Sequence, residues 1–170
     1  ADEKEEFYFD FNIGQIPLKN ACFLMPALSN PDNYLFFVNA AYDLAMLRNE
    51  KVLVKRKIVD VPVLARIHYN EHVGSGSKYA DESFLSMNYL ANYYLGESKD
   101  DTVEKYIKEH NLYKVDRMGE KAPDYTRVPT DLIFRYGCSD GRITYKLGAT
   151  LLNLIGEMNQ KLTDERPEGY

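Results

Sequence analysis

Tyr34-Leu35-Phe36-Phe37-Val38-Asn39-Ala40-Ala41-Tyr42-Asp43-Leu44 sets an unbroken apolar run directly against a helix-forming one. Apolar residues from Tyr34 to Val38, without alternation, predict a strand buried on both faces, as in parallel sheets. Ala40 to Arg48 then predicts a helix, with Leu44 and Leu47 turned inward. A strand that runs straight into a helix is the repeating step of an α/β fold. Side chains at such a junction project past the carboxyl end of the strand, where open sheets place ligands. Asn39 and Asp43 stand at this junction. Their plainer reading is that of helix-start residues, since Asn and Asp are common caps.

Upstream, Ala1 to Glu6 is a charged lead-in, and Phe7 to Asn12 alternates aromatic and polar residues as a strand does. Ile16 to Asn30 predicts a short helix interrupted at Pro26, followed by a turn over Ser29 to Asn33. Downstream, Val52 and Val54 alternate with basic residues and predict a strand over Lys51 to Ile58. Asp60 and Pro62 open a helix through Ile67 and His72, and Gly74-Ser75-Gly76-Ser77 is a flexible loop. Ser83 to Leu95 is amphipathic, with Gly96 as its C-cap. Asp101 to His110 is a further helix, and Lys114 to Arg127 a charged loop. Pro129-Thr130-Asp131 begins the last helix, whose apolar stripe runs from Leu132 and Ile133 through Tyr136, Ile143, Leu147, Leu151, Leu154, Ile155 and Met158. Arg166 to Gly169 reads as a linker. The fold class is α/β, with helices dominating the C-terminal half.

A chain of 170 residues, 45% apolar, is long enough for one domain with a real core. Its net charge of −5 gives no general attraction to nucleic acid, so any such contact must be local or cation-assisted. Cys22 and Cys138 are the only cysteines and form no CxxC, which points to a reducing cytoplasm. No apolar run is long enough to span a bilayer, so no membrane partner is expected.

Three clusters carry chemistry. Tyr136-Gly137-Cys138-Ser139-Asp140 places a phenol and a carboxylate four residues apart, one turn apart on one helical face. A carboxylate can hold a divalent metal, and a phenol can orient a metal-bound water. Small residues at 137, 138, 139 and 141 leave room for a close approach of backbone or substrate. His68-Tyr69-Asn70-Glu71-His72 has the HxxEH spacing of a zinc peptidase, although it also reads as a polar helix end. Lys51, Lys55, Arg56 and Lys57 form a basic cluster on the expected strand, and Gly74 to Lys78 lacks the phosphate-loop pattern.

Taken together, the two aspartate segments resemble the proofreading domain of family-A DNA polymerases, in the DEDDy group of 3′–5′ exonucleases. Asn39-Ala40-Ala41-Tyr42-Asp43 is similar to the second exonuclease motif of that family, Asn-x-x-(Phe/Tyr)-Asp. Tyr136 to Asp140 is similar to the third, Tyr-x-x-x-Asp, with Thr144 and Leu147 where the family commonly has Thr and Leu. Ile58-Val59-Asp60 and Ser83 to Lys99 resemble intervening segments, so the resemblance covers about residues 34 to 160. It implies a ribonuclease H-like fold, a mixed sheet flanked by helices, over residues 1–160, with 161–170 leading toward a polymerase domain. It also implies two Mg²⁺ or Mn²⁺ ions, with Asp43 and Asp140 as metal ligands and Tyr136 orienting the attacking water. Asn39 and Tyr42 would line the track of a single-stranded DNA 3′ end, and the product would be a deoxynucleoside monophosphate. The setting it implies is the cytoplasm of a bacterial or phage-infected cell.

The first family motif, Asp-x-Glu, has no counterpart here. Asp10-Phe11-Asn12 is the nearest imitation and lacks the Glu. By order, Phe7 to Asn12 fits the third strand of the fold, which places the first two strands and the missing carboxylates in sequence preceding Ala1. Two readings stand beside the exonuclease: a catalytically inactive module of the same fold that positions DNA, and the HxxEH zinc peptidase.

Overall fold

The computed structural model describes residues 34–49, 51–52, 54–72, 85–115 and 119–164, with backbone only at 70–72 and 162–164. They form a mixed α/β architecture, mostly helical, with two small sheets. The expectations for Phe7–Asn12, Ile16–Asn30, Gly74–Ser77 and Arg166–Gly169 lie outside the described residues. By its contacts the chain divides into two compact units: one built on residues 98–143, the other on the described residues up to Glu97 together with those from Thr144 onward.

In the second of these, strand β1 (Tyr34–Phe37) leads into helix α1 (Ala40–Asn49), which returns to strand β2 (Lys57–Asp60). The strands pair in parallel, Tyr34 opposite Lys57 and Phe37 opposite Asp60, so strand–helix–strand is a βαβ step. Asn39 links β1 to α1 with φ of 66°, a left-handed conformation that asparagine tolerates better than most residues. Helix α1 closes with Lys51 at φ of 62°, its N–H bonded to the Arg48 carbonyl and that of Val52 to the Leu47 carbonyl. This is the double bond pattern of a Schellman turn, with lysine where glycine is usual.

That closure corrects the strand expected over Lys51 to Ile58: Lys51 belongs to the end of α1, and the strand starts at Lys57. It also separates Lys51 from Lys57, so the basic cluster does not share one strand. Strand β1 is where it was expected but less covered. Tyr34 is exposed and Leu35 to Phe37 are half-buried, because among the described residues β1 has a single strand neighbour, β2.

Helix α2 (Val61–His72) buries Val61, Ala65 and His68, an i, i+4, i+7 stripe. Helix α3 (Met87–Leu95) starts later than the expected Ser83, because Ser86 caps it by accepting a hydrogen bond from the Tyr89 N–H at 3.3 Å. It stops where expected, at Gly96, whose φ of 66° is left-handed. The C-terminal half of helix α5 (Thr130–Asp164) buries Leu147 and Leu151 completely. Gly148 faces the Phe36 ring, which meets Tyr145 edge-on at 5.9 Å, and Lys146 pairs with Glu97.

The other unit is built around helix α4 (Thr102–Glu109). Val103 and Ile107 of this helix join Leu112 and Val128 in a core on which Tyr106, Tyr113, Leu132, Ile133 and Tyr136 pack. The segment expected to be a charged loop instead contains an antiparallel hairpin, β3 (Tyr113–Val115) and β4 (Lys121–Pro123), then a 3₁₀ turn over Tyr125–Arg127. Strands of three residues are too short to show alternation, and their charged side chains face solvent. The N-terminal half of α5 completes this unit.

Candidate functional site

Tyr136 and Asp140 lie one turn apart on α5, as their spacing requires, and meet two residues from outside that helix. The Lys99 ammonium donates to the Tyr136 hydroxyl at 2.7 Å and to Glu104 Oε1 at 3.1 Å, and lies 3.6 Å from Asp140 Oδ2. It also sits 4.6 Å from the centre of the Tyr136 ring, a cation–π approach. The Tyr136 hydroxyl in turn donates toward Glu104 Oε1 at 3.4 Å. Lys99 is carried by the irregular segment between α3 and α4, and Glu104 by the first turn of α4. The core beneath the Tyr136 ring, Val103 and Ile107 among it, fixes where the hydroxyl emerges.

The four groups perturb one another in physically distinct ways. Burial pushes the Tyr136 phenol up to about 12; the Lys99 hydrogen bond opposes this, while Asp140 and Glu104 add to it. The phenol is therefore a neutral hydrogen-bonding group at physiological pH. Burial also raises Asp140, against the pull of the Lys99 charge and a hydrogen bond from Tyr136. Burial by itself would lower Lys99. The Tyr136 hydrogen bond, the Asp140 charge and the Glu104 hydrogen bond outweigh it and hold the ammonium well above the usual lysine range.

The second motif is built on the β1–α1 junction. Asp43 sits in the first turn of α1, half-buried, its carboxyl raised first by burial and then by the neighbouring charge of Asp60. Asp60 does not cap α2, the helix it precedes. Its carboxylate accepts from the Ala40 N–H at 2.9 Å and the Asn39 N–H at 3.4 Å, and so caps α1. Asn39 and Tyr42 are exposed, Tyr42 at 63%. Asp43 and the Tyr136–Asp140 pair belong to different units.

No known family model matches the chain, and no curated protein matches it.

The remaining sequence candidates are placed as follows. His68 is buried, with Nδ1 3.0 Å from the Tyr94 hydroxyl and its ring edge-on to that tyrosine. The side chains of Glu71 and His72, like Asp10 and Cys22, lie outside the described residues. Cys138 is half-buried. Gly141 has open space where a Cβ would project, whereas the close approach in α5 falls at Gly148. Among the described residues no three His, Cys, Asp or Glu side chains converge as a metal-holding group, and no helix is long and apolar enough to cross a membrane.

Sequence reading missed Lys99 and Glu104. The only signal was the Gly96-Glu97-Ser98-Lys99 run at the end of a family-like segment, which marks a lysine without giving it a partner.

Proposed function

We propose that the chain is the metal-dependent 3′–5′ exonuclease module of a DNA polymerase, on a ribonuclease H-like fold, removing nucleotides from single-stranded 3′ ends. The observation that carries this reading is the meeting of phenol and carboxylate, one helical turn apart, in a half-buried charged cluster. Buried clusters of perturbed groups are where function concentrates.

The donor chemistry fits a hard divalent cation. Asp43 and Asp140 are carboxylates held partly out of water, so their ionised forms are disfavoured, and Asp43 has a second carboxylate beside it. When bound, Mg²⁺ or Mn²⁺ supplies activation of a water and neutralises charge at the leaving 3′ oxygen. Asp43 and Asp140 would hold the ions. Tyr136, neutral and firmly hydrogen-bonded, would orient the attacking water through its hydroxyl. Lys99 would keep that hydroxyl in place and add positive charge near the phosphate. Asn39 and Tyr42, both exposed, offer an amide and an aromatic face to the terminal nucleotide. The product is a deoxynucleoside monophosphate. The polymerase domain lies in the same or a longer chain, in the cytoplasm of a bacterial or phage-infected cell.

One observation favours a second reading, an inactive module that only positions DNA. Lys99 pairs with both Asp140 and Glu104 and engages the Tyr136 phenol, so an ammonium already stands beside the carboxylates where a metal ion would. A 5′-labelled single-stranded oligonucleotide incubated with Mn²⁺ separates the two. Stepwise loss of the 3′ end, reduced at least about 100-fold by Asp140→Ala, is the expected result. Intact oligonucleotide after incubation with protein shown to be folded selects the inactive module.

A further inference from the structure

Lys99 is fixed from several sides within its own unit. Its ammonium donates to the Tyr136 hydroxyl at 2.7 Å and to Glu104 Oε1 at 3.1 Å, and rests 4.6 Å from the centre of the Tyr136 ring. That ring packs on the core around Val103 and Ile107, and Glu104 belongs to α4, so both anchors are set by the fold. A lysine held this way loses little further freedom in meeting Asp140, and lost freedom is what makes most surface ion pairs weak. The side chains of Lys99 and Asp140 are 21% and 23% exposed, against 45% for Glu104, so the approach to Asp140 is the less solvated of the two ion pairs. At 3.6 Å from Oδ2 it is also longer than either hydrogen bond. Tyr136 and Glu104 therefore keep the ammonium in place, and Asp140 is the contact that an incoming ion loosens first.

We propose that Lys99 is a resident cation set against the divalent ion at Asp140: metal binds there only against a fixed positive charge, and the same ammonium holds the Tyr136 hydroxyl in place. A Mg²⁺ ion takes its oxygen ligands at about 2.1 Å, so an ion on Asp140 Oδ2 lies within about 6 Å of the ammonium. A double charge facing a single one at that distance weakens binding about 10-fold even at the dielectric of water, and more among half-buried groups. The ammonium does not replace the ion, since it carries one charge and has no open position for a water. Without metal it keeps Asp140 and Glu104 from repelling one another, so the cluster is assembled before an ion arrives. Lys99 is thus a positioning residue that opposes metal affinity and supports the rate of the filled site. The inference rests on the exonuclease reading for the identity of the ion and for the water that Tyr136 orients.

The experiment is a Mn²⁺ titration of the substrate-free chain, read by electron paramagnetic resonance of the unbound ion, beside single-turnover cleavage of a 5′-labelled oligonucleotide at saturating Mn²⁺. The binding assigned to this site is the part lost when Asp140→Asn is added. Lys99→Met binds Mn²⁺ there at least about 10-fold more tightly than the parent. At saturation it nevertheless cleaves about 10- to 100-fold more slowly, because the Tyr136 hydroxyl has lost its donor. Lys99→Arg keeps the charge, and its affinity stays within about 2-fold of the parent. Lys99→Gln keeps an N–H donor beside Tyr136 and Glu104, so it shows the gain in affinity with a smaller loss of rate. Circular dichroism of each variant matches the parent. A lysine that only supports the fold would lower affinity and rate together. Parental or weaker Mn²⁺ affinity in folded Lys99→Met and Lys99→Gln overturns the inference, and with cleavage by the parent it overturns the inference alone. Tighter Mn²⁺ in both variants, with no cleavage by any of the proteins, removes the exonuclease reading and leaves Lys99 set against the ion. Absence of Mn²⁺ binding from parent and variants alike removes both.

Discussion

The Asp60 carboxylate accepts hydrogen bonds from the backbone N–H groups of Asn39 and Ala40, about twenty residues earlier in the chain, and thereby ties the end of β2 to the start of α1. Removing a charged acceptor from a helix N-terminus costs about 1–2 kcal/mol, so Asp60→Ala lowers the urea midpoint of unfolding by that equivalent. The same substitution removes the charge that helps raise Asp43, and an NMR titration of Asp43 shows its pKa moving down toward the ordinary carboxylate range. The linkage has a definite sign. A carboxyl raised in the folded state contributes stability that is fully present below its unfolded pKa and is lost as pH rises through the folded one. Ionised Asp43 therefore burdens the fold at neutral pH. In metal-free buffer Asp43→Asn has a higher Tm than the parent at pH 7, and the difference vanishes at pH of about 3 or below, where the parent carboxyl is protonated. An equal Tm gap at both pH values removes burial and Asp60 as the source of the shift.

Helix α5 carries two glycines whose replacement has opposite consequences. At Gly156 a Cβ would meet nothing within 4 Å, so Gly156→Ala gains up to about 1 kcal/mol of helix propensity. At Gly148 a Cβ would run into the Phe36 ring, itself held edge-on to Tyr145. Gly148→Ala is destabilising despite the better propensity, by about 1–3 kcal/mol, as overpacked cores are. Urea unfolding of the two variants checks both signs at once, and a stabilised Gly148→Ala refutes the packing of β1 on α5. The sequence does not separate these glycines, because the difference lies in a ring more than a hundred residues away. What could be read was local. The stripe from Leu132 to Met158 announces the long helix, Gly96 announces a helix stop, and the apolar run at Tyr34 announces β1. What could not be read depended on partners. Lys51 ends α1 in a conformation that lysine does not advertise, which moved β2 toward Asp60. The β3–β4 hairpin has strands too short for any period. Lys99 joins Tyr136 across thirty-seven residues, so YxxxD could be seen while the ammonium that organises it could not.

Within the whole molecule, the two aspartates of the proposed site are supported by different parts of the fold. Asp43 is set by the βαβ step of one unit, whereas Asp140 is set by the α4–α5 core of the other. Each has its own acidic neighbour, Asp60 for Asp43 and Glu104 for Asp140, so neither unit's geometry by itself requires the other. If both hold metal for one reaction, they act as a unit and their losses do not multiply. Asp43→Ala and Asp140→Ala then each lower single-turnover release of the 3′ nucleotide in Mn²⁺ by at least about 100-fold, and the double variant is no slower than the slower single one. If they serve separate ends, the free-energy effects add, as for distant independent sites, and the double variant is slower by the product. Both side chains are half-buried and raised in pKa, so their removal relieves a desolvated charge, and the variants stay folded by circular dichroism. A reduced rate therefore reports chemistry and not collapse. Additive losses in folded protein divide the chain into an acid pair at each unit, and the YxxxD helix then keeps its phenol, carboxylate and ammonium for a purpose other than sharing metal with Asp43.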